Sequence, residues 1–153
     1  MILVQGDLLE MGRNNEVDII VHGCNCFNVM GAGIAAQIAK QFPDAKLADD
    51  ETVRGDAGKL GTYTIGMDGR LVILNAYTQY STSKNGEDVF EYTAFERVLS
   101  KIAHRFGAWR IGLPMIGMGL AGGDRVRILT MMEEFSRKVQ LQGGTVTLVE
   151  FKA

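Results

Sequence analysis

Cysteine and proline are scarce, at two residues each in 153, and there is one tryptophan and two histidines. Cys24 and Cys26 stand two positions apart, so they cannot staple distant segments, and a disulfide between them would be strained. A reducing cytoplasm is the expected setting. No run approaches the roughly 18 apolar residues of a membrane span. The first apolar run, residues 1–4, does not read as the core of a secretory leader. Neither sign of charge dominates: 16 Lys and Arg face 18 Asp and Glu, a net charge of −2. That balance argues against a broad basic face for nucleic acid. His22, Cys24 and Cys26 share one face if the chain there is extended. No second Cys or His cluster in the sequence completes a tetrahedral site, and His104 reads as structural, so no metal is expected.

What the chain has in quantity is glycine, 19 residues, gathered at 31/33, 55/58/61 and 117/119/122/123. Clustered glycine in an otherwise ordered chain marks loops needing positive φ or a close approach to a ligand. The remainder is ordinary for a soluble globule, 46% hydrophobic and 22% charged, and the length suits one domain over 1–153.

The hydrophobic pattern alternates between strand and helix. Residues 1–5 and 17–22 are short apolar runs read as strands. Ile34, Ile38 and Phe42 recur at helical spacing, and Pro43 stops that helix at Phe42. A short helix is expected over 46–53. Residues 63–65 and 71–75 flank Asp68-Gly69, a hairpin signal. Thr93-Ala94-Phe95-Glu96 has the form of a capping box, opening a helix with the stripe Phe95, Val98, Leu99, Ile102, Ala103 and Phe106. Residues 109–113 read as a strand. Asp124 reads as the cap of a helix with the stripe Ile128, Met132, Phe135 and Val139, and residues 145–151 as a final strand. The order predicts an α/β domain of three layers, with a mixed, mostly parallel sheet. Ligands in such sheets bind beyond the carboxyl ends of the strands. That rule singles out the loops at 6–13, 23–33 and 114–124.

Two of those loops carry G-x-G patterns. Met30-Gly31-Ala32-Gly33-Ile34 precedes a helix, and Gly117-Met118-Gly119-Leu120-Ala121-Gly122 follows a strand. Neither fits a Rossmann fingerprint: residues 23–30 intervene before the first, and the second lacks a suitably placed acidic partner. Opposed loops of this kind can grip a pyrophosphate through main-chain N–H groups, without Lys or Arg. Gly55 to Lys59 lacks the Walker pattern and reads as a solvated turn. His22 and Asn25 stand where a buried strand leaves toward this anion site. Asn suits ribose hydroxyls and His suits proton exchange with a phosphate. Asp7 is either a turn aspartate or a carboxylate accepting from a base amine.

Together these segments resemble the macrodomain family over nearly the whole chain. Gly6-Asp7-Leu8-Leu9 is similar to the family's Gly-Asp-Ile-Thr-type loop, which implies Asp7 at the adenine amine. The stretch 21–35, with His22-Gly23-Cys24-Asn25-Cys26, resembles the distal-ribose and first phosphate segment. Residues 114–122 resemble the second phosphate loop. The resemblance implies a three-layer α/β/α fold with about six strands. It also implies a ligand site of Asp7, Leu8, Asn25, Met30, Gly31, Ala32, Gly33, Ile34, Pro114, Ile116, Gly117, Met118, Gly119, Leu120 and Ala121.

The His-x-Cys-Asn-Cys form, with Gln41-Phe42-Pro43, resembles the ADP-ribose 1″-phosphate phosphatase branch. That implies phosphomonoester hydrolysis without metal or other cofactor, with His22 and Asn25 as catalytic residues; Asp124, read first as a helix cap, is the third catalytic candidate. Asn75-Ala76-Tyr77-Thr78-Gln79 departs from a neighbouring branch that uses a lysine where Gln79 stands, and Lys84 is not a convincing replacement. The alternatives are a non-catalytic ADP-ribose reader and a hydrolase of ADP-ribosyl-protein or O-acetyl-ADP-ribose esters, with an NAD dehydrogenase a distant fourth. The expected partners are small ADP-ribose derivatives, and the expected state is a monomer.

Overall fold

A computed structural model describes residues 1–82 and 89–152. Six strands form one sheet: β1 (Ile2–Gly6), β2 (Ile19–Cys24), β3 (Tyr63–Asp68), β4 (Leu71–Tyr77), β5 (Arg110–Pro114) and β6 (Thr145–Phe151). Their order is β1-β6-β5-β2-β4-β3, parallel throughout except for the antiparallel β3/β4 hairpin. This is the three-layer α/β architecture expected from the pattern.

The helices divide between the two faces. On one side lie α4 (Tyr92–Phe106) and α5 (Arg125–Leu141), packed over Ile19, Val21, Leu74, Ile111, Leu113 and Leu148. On the other lie α1 (Leu8–Arg13), α2 (Gly33–Gln41) and α3 (Pro43–Asp50), packed over Ile20, Ile73 and Val149. Residues alternate along β2 and β4, so each of these central strands turns buried side chains toward both layers, apolar at the base of the α3 side and polar above it at His22 and Asn75. The stripe Ile128, Met132, Phe135 and Val139 of α5 is buried, and Asp124 caps that helix through Arg127 N at 2.9 Å.

Several local expectations change. The helix α1 has too few residues for a periodic signal; Asp7 caps it, accepting from Leu9 N at 3.0 Å and Glu10 N at 3.3 Å. The helix expected over 46–53 begins earlier, at Pro43, because proline suits a first helical position whose N–H has no helical acceptor. Phe42 is the break between α2 and α3, with φ −129° and ψ 76°. Thr93 does not cap α4: the cap position is Glu91 and no side chain bonds there. Phe90 bridges to Gln79, and Glu91 N donates to Thr78 O, so the chain leaves an extended pairing two residues before the capping-box threonine. The hairpin is present, but Asp68 pairs with Leu71 and the two loop residues are Gly69 and Arg70. Positive φ at Gly69 alone, 58°, fits a turn with glycine first rather than an Asp-Gly turn.

Helix α3 rides directly on the hairpin. A Cβ built at Gly66 would stand 2.4 Å from Ala45 Cα and 2.6 Å from Ala45 N, both backbone atoms. The N–H of Met67 also donates to Asp44 Oδ2 at 2.7 Å. Gly66→Ala is expected to lower stability by about 1–3 kcal/mol, since backbone cannot step aside cheaply. Gly6→Ala is the control, with nothing within 4 Å of the added carbon. Urea unfolding of the two variants checks this.

Candidate ligand cleft

The central strand β2 pairs with β4 over six residues, from Ile19↔Val72 to Cys24↔Tyr77. With β5 it shares only Ile19↔Ile111 and Ile20↔Gly112. Beyond that point β5 continues against β6 through Pro114↔Val149. The sheet therefore parts at the carboxyl ends of β2 and β5, where a doubly wound sheet offers a crevice. A cleft of about 500 Å³ lies at this end of the sheet, among Asp7, Leu8, Leu9, Gly33, Ile34, Gln37, Gln41, Pro114, Met115, Val149 and Phe151. Its walls are the start of α1, one face of α2 from Gly33 to Gln41, and the ends of β5 and β6.

Of the residues expected at a ligand, the cleft brings together Asp7, Leu8, Gly33, Ile34 and Pro114. Gly31 and Ala32 are exposed just before α2, whose N-terminus has no side-chain cap. Among the described residues, the amides of Gly31 and Ala32 donate to no acceptor. In the second glycine loop, Gly122 N donates to Gly119 O and Gly123 N to Gly117 O, which shapes the loop. The amides of Gly117, Gly119, Leu120 and Ala121 have no acceptor among the described residues. Gly117 must be glycine twice over: its φ is 74°, and a Cβ would stand 2.5 Å from the Phe90 ring. The side chains of Met30, Ile116 and Ala121 point into the core, so only their main chain is available to the loops.

The three residues expected to be catalytic lie apart from the cleft lining. His22 is fully buried on the α3 side of β2, and its Nε2 is 2.6 Å from Asn75 Oδ1. Asn75 Nδ2 donates to Ala45 O and Thr64 Oγ1, so Oδ1 is the acceptor and His22 carries its proton on Nε2. Asn25 spends both ends of its amide on its own loop: Oδ1 accepts from Phe27 N at 2.9 Å and Nδ2 donates to Val29 O at 2.8 Å. Asp124 caps α5, and its own N–H donates to the Tyr92 hydroxyl at 2.7 Å. Gln79, at the position of the alternative lysine, donates to Ser81 O. Lys84 lies outside the described residues.

The chain is 32% identical over 151 residues to an uncharacterized 17.5 kDa protein encoded in the tk-vs intergenic region of Enterobacteria phage T4, covering 90% of this chain and 91% of that one. It belongs to the same family as that phage protein. Among solved structures, the macrodomain of Thermus aquaticus DarG superposes with a TM-score of 0.72 at 22% identity, over 99% of this chain and 97% of that one. Thermosipho africanus DarTG in complex with ADP-ribose gives 0.72 at 16% identity, over 99% of this chain and 42% of that one. The fold is that of a macrodomain. No family model matches the chain.

Within this macrodomain fold, the cleft lining also includes Leu9 and Met115 from the expected loops, and Gln37, Gln41, Val149 and Phe151 from outside them. Phe151 ends β6 opposite Gly6 and is 72% exposed, an aromatic side chain at the rim. Applying the carboxyl-end rule to β6 as well as to the glycine loops would have found it. Gln37 and Gln41 stand one turn apart on α2, a polar pair on a helix whose sequence signal is its apolar stripe. The turn at Gly55 to Lys59 is exposed at Asp56, Ala57 and Gly58, but Lys59 departs from a solvated turn. Residues Ala57–Lys59 form a 3-10 turn, and Lys59 is buried, donating to Asn28 Oδ1 at 2.8 Å and Thr52 Oγ1 at 2.9 Å.

Behind the loop that carries Asn25 lies a buried polar layer. From His22 it runs through Asn75 and Thr64 to the Tyr77 hydroxyl, which donates to Asp49 Oδ1 at 2.8 Å. Burial pushes the Tyr77 phenol up, and pushes the Cys24 thiol well up, so Cys24 is a neutral, inert neighbour of the imidazole. Burial drives His22 down to about 4 from 6.5, against the opposing effect of the Asn75 hydrogen bond. The folded protein thus holds His22 neutral where the unfolded chain already takes up a proton. Its contribution to stability is whole above pH 6.5 and is withdrawn as the pH falls toward 4. The full swing is on the order of 3 kcal/mol. His22→Gln is expected to flatten the wild-type fall in urea midpoint between pH 6.5 and 4, with the wild-type-minus-variant difference as the readout.

Proposed function

We propose that this protein binds ADP-ribose and its 1″-substituted derivatives in the cleft at the carboxyl ends of β5 and β6. The observation that carries the reading is this cleft, with Asp7 on one wall, Gly33 and Ile34 on another, and Pro114 and Met115 leading in sequence into the second glycine loop. In this reading, the uncommitted amides at 31–32, 117 and 119–121, with the open N-terminus of α2, hold the diphosphate. Asp7 already gives Oδ1 to the α1 cap, and its second oxygen serves the adenine amine. Phe151 lies against the base. The likeness to DarTG, whose structure holds ADP-ribose, supports the same ligand class here.

The reaction proposed is hydrolysis of the terminal phosphomonoester of ADP-ribose 1″-phosphate, supported by the His22-Gly23-Cys24-Asn25-Cys26 resemblance. In it Asn25 and the loop amides face the distal ribose and the leaving phosphate. His22 acts through the polar layer behind the loop, as a positioning residue rather than at the substrate. A second reading, a non-catalytic reader, is favoured by a specific observation. His22, Asn25 and Asp124 are all committed to structural bonds: His22 to Asn75, Asn25 to its own loop, and Asp124 to a helix cap.

Calorimetry with ADP-ribose is expected to show binding that Asp7→Asn weakens about ten-fold, because one oxygen still caps α1 while the other acceptor becomes a donor. Failure of the wild type to bind, or an unaltered affinity in the variant, would overturn the assignment of the cleft. Phosphate release from ADP-ribose 1″-phosphate, run beside O-acetyl-ADP-ribose and ADP-ribosylated protein, separates phosphatase, esterase and reader.

A further inference from the structure

We infer that Lys59 and Asn28 form a clamp that sets the position of the loop carrying Asn25, and through it the distal half of the ligand site. The inference rests on the ADP-ribose reading above and assigns to that site two positioning residues from outside the cleft.

Lys59 is the starting point. It is only 7% exposed, and both acceptors bonded to its ammonium, Asn28 Oδ1 and Thr52 Oγ1, are neutral oxygens. Burying an ammonium against neutral partners is costly, and an apolar side chain would fill the space more cheaply. What the charge accomplishes is visible at Asn28. This residue stands at the crest of loop 25–30 with φ 58°, a left-handed backbone that asparagine tolerates better than most residues.

Three hydrogen bonds converge on Asn28. Its Oδ1 accepts from Lys59, its Nδ2 donates to Thr52 O at 3.1 Å, and its main-chain oxygen accepts from Lys46 Nζ at 2.9 Å, while the Thr52 hydroxyl 3.2 Å away spends its one proton on Asp49 O at 2.6 Å. Asn25 closes the same loop from inside, through Phe27 N and Val29 O. The segment that supplies Lys59 also holds the loop's flank, with Gly55 N donating to Cys26 O at 2.7 Å. The loop then runs directly into Gly31, Ala32 and the uncapped start of α2. The clamp therefore fixes where those amides are presented. The Asp7 end of the cleft, built on α1 and β6, does not touch it.

Lys59→Met and Asn28→Gly test this. The glycine variant keeps the positive φ while removing the acceptor. Each is expected to weaken ADP-ribose binding about ten-fold while changing AMP binding less than about two-fold, since AMP occupies the Asp7 end alone. In the free protein, the hydrogen-bonded amides of Cys26, Phe27 and Gly55 should exchange hydrogen faster in both variants, with β6 unaltered. Equal loss for both nucleotides, an unchanged affinity ratio, or faster exchange spread across the sheet would each overturn the clamp. If Lys59→Met does not fold, Asn28→Gly decides. If wild-type protein binds no ADP-ribose, the ligand reading fails, and the exchange measurement alone decides whether the clamp holds the loop.

Discussion

Strand β2 serves two partners unequally, and most of the molecule's character follows from that inequality. It runs beside β4 for its full length and leaves β5 after two pairs. Main-chain groups beyond that point are no longer tied across the β2/β5 seam. The two segments that follow, one into α2 and one into α5, can therefore splay to either side of a crevice. Gly112 and Gly23 sit along this seam, where an added Cβ would stand 2.5 Å from Leu8 Cδ1 and 2.9 Å from Thr78 Oγ1 respectively. The close packing that glycine permits holds α1 and the end of β4 tightly against a sheet that is about to open.

The α3 face of β2 and β4 changes character along its length. Ile20 and Ile73 are part of an apolar core at the base. Above them His22, Cys24, Asn75 and Tyr77 make a polar layer that reaches the backbone of α3 and Asp49. Buried polar groups are tolerated only when their bonds are made, and a satisfied network admits few alternative arrangements. This layer therefore gives the loop after β2 a defined base. Thr78 Oγ1, at the same level, is buried without a hydrogen-bond partner among the described residues.

Much of this was legible in the order of residues, and the reasons differ by element. Long elements with a repeating stripe declared themselves: the α5 stripe, the α2 stop before Pro43 and the 145–151 strand all stand where the pattern put them. The short helix α1 did not, because six residues hold less than two turns of periodicity. The Thr93 capping box failed because pairing near Gln79 and Phe90 set the start of α4. At the cleft, Asp7, Gly33 and Pro114 stand in segments that residue type and the strand-end rule pointed to. Phe151, Gln37 and Gln41 were not, since each belongs to an element whose other residues explained it already. Lys59 looked solvated because charge and neighbouring glycine read alike in a turn and in a buried clamp.

By itself the amino-acid order determined the alternation of strands and helices, the mixed sheet and the segments around its open end. Those depend on local periodicity, turn chemistry and the side-chain alternation of strands, all short-range properties of the chain. Only the tertiary structure decided that His22 faces Asn75 rather than the cleft, that Asn25 closes its own loop, and that Lys59 reaches Asn28 across 31 residues. Whether a polar side chain is spent on the protein or kept for a ligand depends on which distant strand or turn packs beside it. That choice is made by long-range packing, on which neighbouring residues carry no information.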